Sequence, residues 1–149
     1  MKKKITIWVL CLSVLFSQFS IAEEKFLSLK KNKVNVRYGP SFDSKIKYIY
    51  KKINLPIKQI DKKENFRRIV DLKNNSGWIH VSQVKKSNSI IILEDKILYK
   101  KPSNFSKPIA KLEKGRLLVL KKCENIWCNV KTADYSGWVE TKNIWGSIK

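Results

Sequence analysis

The chain has 149 residues, 32 of them Lys or Arg against 12 Asp or Glu, which gives a formal charge of +20, and it holds one histidine and three cysteines. That length accommodates one ordinary domain or two small ones, and so large a positive charge favours anionic partners without specifying a fold. A single histidine leaves little from which to build a metal centre or a nucleophile with its base, so neither cofactor, metal nor catalysis is expected.

At the N-terminus, Lys2, Lys3 and Lys4 precede an apolar run from Ile5 to Phe16, and Ser20-Ile21-Ala22 stands before the acidic pair Glu23-Glu24. This is the layout of a cleavable secretory signal peptide over residues 1–22, with small residues three and one before the cut. The apolar run falls short of the ~20 residues a spanning helix needs. Cys11, preceded by the bulky Trp8-Val9-Leu10, leaves with the peptide rather than accepting a lipid. The expected mature chain begins at Glu23, is exported to the periplasm or an equivalent oxidising space, and keeps Cys123 and Cys128 as an even pair. Its lysines are scattered among Asn and Ile, and Arg occurs only at 37, 67, 68 and 116; this fits a solvated surface as well as a basic binding face.

Beyond Glu23 no long helical periodicity is present. Short β-branched and aromatic runs alternate with Asn, Lys, Ser, Gly and Pro, which predicts an all-β protein. The expected strands are Val34–Val36, Ile46–Tyr50, Leu55–Ile60, Arg67–Asp71 and Gly77–His80, then Ile90–Leu93, Lys96–Tyr99, Leu117–Leu120, Trp127–Lys131 and Gly137–Glu140, with Phe26 and Leu27 in a lead-in that supplies a further strand. The pattern repeats. Ser76-Gly77-Trp78-Ile79 returns as Ser136-Gly137-Trp138-Val139, Phe66-Arg67-Arg68-Ile69 as Trp127-Cys128-Asn129-Val130, and Val36 to Ser41 as Leu98 to Ser103, the last two followed by Phe42 and Phe105. Three blocks in one order at nearly constant spacing mean one unit present twice. Its boundaries are 23–86 and 87–149, with Ser87-Asn88-Ser89 too short a junction for independent tumbling.

The run Asn35-Val36-Arg37-Tyr38-Gly39-Pro40-Ser41, the aromatic-x-x-β-branched strand from Phe66, and Gly77-Trp78-Ile79 resemble the bacterial SH3 (SH3b) domain, and the whole arrangement is similar to exported tandem SH3-domain proteins of α-proteobacteria. The second unit keeps Pro102-Ser103, Trp127 to Val130 and Gly137-Trp138-Val139, but has Leu98-Tyr99 and Lys101 where the family has V-R and G. The resemblance implies two tandem small SH3-like β-barrels of five strands that bind cell-wall peptide or glycan, or a protein segment, through grooves lined by loop aromatics. The corresponding aromatics are Tyr38, Phe42, Tyr48, Tyr50 and Trp78 in the first unit, and Tyr99, Phe105, Tyr135 and Trp138 in the second. Tyr38 and Phe42, beside the turn at Gly39-Pro40, are the expected contact residues; the two tryptophans are expected to cover the barrel interior or its mouth. Gly39 supplies a turn with positive φ, and Gly77 and Gly137 a bulge or a close backbone approach.

Between two strands of the second unit, Cys123 and Cys128 flank a predicted hairpin turn, and a disulfide across it is expected. A redox or metal role is the rival, but the spacing is not C-x-x-C and no histidine accompanies it. His80 reads as filler and Glu94-Asp95 as turn residues. The expected partners are therefore peptidoglycan, a protein of the envelope, or anionic polymers and lipids held by charge, with no specific nucleic acid.

Overall fold

The computed structural model describes residues 24–148. The expected signal peptide, residues 1–22 with Cys11, lies outside the described residues. No α-helix occurs among the described residues; the chain forms two antiparallel sheets of seven strands each, joined end to end. The first holds β1 (Lys25–Leu29), β2 (Val34–Arg37), β3 (Ile46–Tyr50), β4 (Pro56–Lys63), β5 (Phe66–Val70), β6 (Ser76–His80) and, after a 3-10 turn at Val81–Gln83, β7 (Val84–Lys86). The second holds β8 (Ser89–Ile92), β9 (Lys96–Tyr99), β10 (Pro108–Leu112), β11 (Leu117–Glu124), β12 (Trp127–Thr132), β13 (Tyr135–Glu140) and β14 (Ile144–Gly146).

The strand orders β3-β2-β6-β5-β4-β1-β7 and β10-β9-β13-β12-β11-β8-β14 are the same topology written twice. Registers agree in detail: Phe66 opposes His80 as Trp127 opposes Glu140, and Arg37 opposes Trp78 as Tyr99 opposes Trp138. Shifts in register fall at equivalent places, between Gln59 and Asp61 and between Leu120 and Lys122. A bulge there bends the long hairpin and adds twist.

The expected closed five-stranded barrel is not what the pairing gives. Each sheet has seven strands and two ends, β3 and β7 in the first, β10 and β14 in the second, with no ladder between them. Both ends nevertheless reach the same core. Tyr48 and Tyr50 of β3 and Val84 of β7 pack on the cluster of Leu29, Val34, Val36, Ile57, Ile69 and Ile79, and Ala110 of β10 and Ile144 of β14 pack on the corresponding cluster around Ile90, Ile92, Leu98, Leu118 and Val130. Each sheet thus curls around its core without joining its edges. The extra strands escaped the sequence pattern because β7 and β14 are three residues long and β10 (Pro-Ile-Ala-Lys-Leu) opens on a proline and buries only Leu112.

The two sheets pack on each other, as the short junction requires. In β1, Leu27 and Leu29 enter the core while Phe26 and Ser28 face the other way; in β8, Ile90 and Ile92 enter the core while Ser89 and Ile91 face out yet are buried. These outward faces meet. The buried hydroxyls of Ser28 and Ser89 lie 2.8 Å apart, the Asn88 N–H donates to Ser28 Oγ at 3.2 Å, and the Trp145 indole N–H donates to the Pro56 carbonyl at 3.0 Å while its ring stands edge-on to Phe26 at 5.1 Å. Buried polar atoms paired with one another fix orientation as well as contact.

Candidate functional site

The loop from Tyr38 to Lys45, between β2 and β3, is tied down from within. Its ends are joined by the Tyr38 N–H to the Lys45 carbonyl at 3.1 Å, and Ser41 organises the tip, its Oγ accepting from the Asp43 N–H and its carbonyl from the Ser44 N–H. Arg37, at the end of β2, donates from Nη1 to the carbonyls of Phe42 at 2.9 Å and Ser44 at 2.7 Å. A guanidinium suits this, since its fixed geometry serves two acceptors with little further loss of freedom. Gly39 does not take the positive φ expected of it; a side chain there would meet Ser44 Oγ at 2.7 Å, so its smallness is what the turn uses.

Phe42 is seated by this loop against two residues of the sheet. Its ring centroid lies 5.3 Å from Phe66 and 4.8 Å from His80, Phe66 and His80 are themselves 5.2 Å apart, and the Arg37 guanidinium carbon sits 5.7 Å from the Phe42 ring. Phe66 is buried, whereas Phe42 keeps 61% of its surface exposed. His80 Nδ1 accepts from the Ser82 N–H at 3.2 Å and lies 2.8 Å from Ser82 Oγ, which places the proton of the neutral ring on Nε2. Tyr38, 66% exposed, stands on the same loop with Lys47 Nζ 5.7 Å from its ring centre. The braced loop thus carries two exposed aromatic rings, each with a cation beside it.

The other expected contact residues of the first sheet lie elsewhere. Tyr48 and Tyr50 stand edge to face on β3, half-buried, with hydroxyls 3.4 Å apart, and Tyr50 donates to Asp71 Oδ2 at 2.9 Å. Burial is the main cause that pushes both phenols above their ordinary range. Asp71 also caps the following turn, accepting from the N–H groups of Lys73 and Asn75.

In the second sheet the equivalent loop, Lys100 to Lys107, keeps every backbone device of the first: Lys100 N–H to Lys107 carbonyl at 3.0 Å, Ser106 N–H to Ser103 carbonyl at 3.1 Å, and Phe105 N–H to Ser103 Oγ at 3.2 Å. These bonds set the true correspondence. Phe105 occupies the place of Asp43, and Asn104 the place of Phe42. Phe105 therefore points into solvent, wholly exposed, and has no aromatic neighbour. Tyr99 stands where Arg37 does, packed edge-on to Trp127 at 5.8 Å, and Glu140 stands where His80 does. Tyr99, Asn104 and Glu140, the counterparts of Arg37, Phe42 and His80, here help to line a cleft of about 190 Å³. Tyr135, 51% exposed, lies at the start of β13, away from these residues in the hairpin opposite Thr132.

Comparison with known proteins places this geometry. The family model described as "Bacterial SH3 domain" matches twice, over residues 30–86 and 95–146. The chain belongs to the bacterial SH3 domain family. No curated protein matches it. Among solved structures it is similar to NlpC2 from Trichomonas vaginalis (11% identity, 83% of this chain and 48% of that one, TM-score 0.39) and to NlpC1 from the same organism (10% identity, 86% and 48%, TM-score 0.38). The chain thus spans about half the length of either.

Within these two SH3 repeats the tryptophans of the Gly-Trp motif stand outside the two core clusters, Trp138 buried and Trp78 half-buried. Gly77 and Ile79, like Gly137 and Val139, face inward, so strand alternation turns Trp78 and Trp138 to the outer face. Trp138 is covered there by Lys122, whose Nζ is 5.2 Å from the ring centre. The glycines serve close approach rather than a bulge, since the pairing of β5 with β6 and of β12 with β13 runs without a shift. A side chain on Gly137 would meet the Tyr99 carbonyl at 2.7 Å. Cys123 and Cys128 form the expected disulfide across directly paired positions of the β11–β12 hairpin, with Cα atoms 4.0 Å apart. Glu94 and Asp95 are turn residues: the Lys114 N–H, donating to Asp95 at 2.9 Å, and then the paired Lys111 hold the Asp95 carboxyl below its ordinary range. No cluster of three metal-ligating residues occurs among the described residues. The expected site lacks His80 and Phe66 because only the fold, which pairs β6 with β2 and β5 with β6, brings them against Phe42.

Proposed function

We propose that this bacterial SH3 protein is a non-catalytic, exported binding protein of the cell envelope whose first repeat engages peptidoglycan through the Tyr38–Phe42 loop. The observation that carries the reading is Phe42: a large aromatic left 61% exposed, yet fixed over Phe66 and His80 by a loop that Arg37 braces. A pre-organised exposed ring offers a stacking face to a sugar or peptide at little ordering cost. The family resemblance points the same way, since bacterial SH3 domains are expected to bind cell-wall peptide or glycan through loop aromatics. Export rests on the layout of residues 1–22, and N-terminal sequencing of the protein recovered from the envelope should begin at Glu23.

The non-catalytic reading draws on two pairings: both cysteines after Glu23 are consumed in one disulfide, and His80 Nδ1 is engaged by Ser82. Sacculi incubated with the protein should release no soluble fragments. Co-sedimentation with purified sacculi at low and high salt tests the binding itself. Retention at high salt, lost when Phe42 is replaced by Ala, supports recognition through the loop; binding that disappears with salt and ignores Phe42→Ala reduces it to charge.

A further inference from the structure

The second repeat exposes a surface that the peptidoglycan reading leaves unused. On the Lys100–Lys107 loop, Phe105 stands wholly in solvent beside Lys100, Lys101 and Lys107, and these four residues line one shallow hollow of about 370 Å³. An adjoining hollow of about 640 Å³ shares Lys100 and Lys107 and adds Lys121, Pro108 and the exposed Ile109. Lys121 Nζ donates to Ser136 Oγ at 3.1 Å across its floor. No acidic residue lines either hollow. The first repeat offers no such surface, because its loop carries Asp43 where the second carries Phe105, and Tyr38 where the second carries Lys100.

We infer that this face of the second repeat docks on an anionic lipid bilayer, with Phe105 entering the headgroup region and Lys100, Lys101, Lys107 and Lys121 ringing it with charge. Four lysines without a counter-charge select a surface of negative headgroups, each lysine near such a surface adding to the attraction. Lysine charge alone would serve a soluble polyanion equally well. Phe105 decides between them: a ring held clear of every neighbour on a braced loop gains by leaving water for lipid and gains nothing against a hydrated phosphate chain. Pro108 and Ile109 extend the apolar strip beside it. The loop is fixed by the bonds from Ser103 and Ser106, so insertion requires no ordering of the backbone.

The test uses residues 23–149, the segment that holds both sheets and both cores, so that the apolar N-terminal run contributes nothing. Binding is measured to vesicles of phosphatidylethanolamine with phosphatidylglycerol, to vesicles of phosphatidylcholine alone, and to inorganic polyphosphate. The expected result is affinity for the phosphatidylglycerol vesicles and not for phosphatidylcholine, reduced about tenfold or more by Phe105→Ala and about fivefold by each of Lys100→Gln and Lys107→Gln. Phe42→Ala should leave vesicle affinity unchanged, and Phe105→Ala should leave polyphosphate affinity unchanged. Vesicle binding indifferent to Phe105→Ala overturns the proposal in favour of charge alone. No binding to phosphatidylglycerol vesicles, or polyphosphate binding that needs Phe105, overturns it outright. The proposed sacculus binding rests on Phe42 and is measured separately, so either proposal can fail without the other.

Discussion

Set side by side, the loops 38–45 and 100–107 share a backbone and almost nothing else. The same carbonyls and serines close both, but one seats its phenylalanine over Phe66 and His80 while the other holds its phenylalanine in solvent among lysines. The difference comes from one position of register within an identical turn, together with the exchange of Arg37 for Tyr99 and of His80 for Glu140. A duplicated fold has thereby kept its scaffold and diverged in what it presents. Function in such a protein has to be argued from each loop separately.

The sharpest way to break the comparison is to ask whether the two repeats are energetically separate. Ile79→Ala removes a fully buried side chain from the first core and should cost about 3 kcal/mol, measured by urea unfolding. Because Ser28, Pro56 and Phe26 are bonded or packed to Ser89 and Trp145, the loss should appear as a shift of one common transition. Two separate transitions, with amide exchange in the second repeat untouched, would show that the interface transmits nothing.

Next in size is the staple that only the second repeat has. The equivalents of Cys123 and Cys128 are Lys62 and Arg67, unlinked. Reduction of the disulfide should cost about 2 kcal/mol, as expected for a short closed loop, and should raise hydrogen exchange in β11 and β12 more than in β4 and β5. Cys128 sits wholly buried in the second core, so the effect of Cys128→Ser would exceed that of reduction by leaving a hydroxyl there.

Smaller again is the brace of the first loop. Arg37→Ala removes two charge-assisted bonds that are partly in water, a cost of about 1 kcal/mol, and should speed exchange of the Ser44 amide and weaken sacculus binding together. Tyr99→Ala at the matching place should leave the Lys100–Lys107 bonds intact, because no side chain of β9 holds them.

The fold was legible in the sequence where residues repeat a pattern, and the site only in part. The Gly-Trp motifs and the aromatic-x-x-β-branched strands are read correctly as β5, β6, β12 and β13 because their blocks recur in one order, and burial alternates with period two in β6 and β12. The end strands β7 and β14 were not, since Val84–Lys86 and Ile144–Gly146 are too short to show a period and are recruited by pairing with β1 and β8. Matching Phe42 with Phe105 was natural from spacing after Pro-Ser and misleading in space, because only the hydrogen bonds of Ser41 and Ser103 reveal which residue occupies which turn position. Tyr38 and Phe42 stood out because they flank Gly39-Pro40; Phe66 and His80 became visible as partners only once the sheet set them side by side.

The last difference is silent at neutral pH. Tyr48, Tyr50 and Asp71 in the first repeat occupy the places that Ala110, Leu112 and Thr132 take in the second, so only the first carries a pair of half-buried phenols there. Burial is the largest cause raising both; for Tyr50 the nearby Tyr48 and Asp71 raise it further. A phenol whose folded value lies above its unfolded value of 10.0 stabilises the native state fully below that pH. Above it the unfolded chain gives up its protons first, and the contribution is lost as pH rises through the folded values. Stability should therefore be unaffected by these groups near pH 7 and fall from pH 10 upward. The measurement is phenolate absorbance against pH alongside urea midpoints. Two tyrosines should titrate late and only on unfolding, and Tyr48→Phe with Tyr50→Phe should flatten the alkaline decline. If the doubly substituted protein declines as steeply as the wild type, the alkaline loss belongs to the lysine-rich surface that both repeats share, and the two cores respond alike.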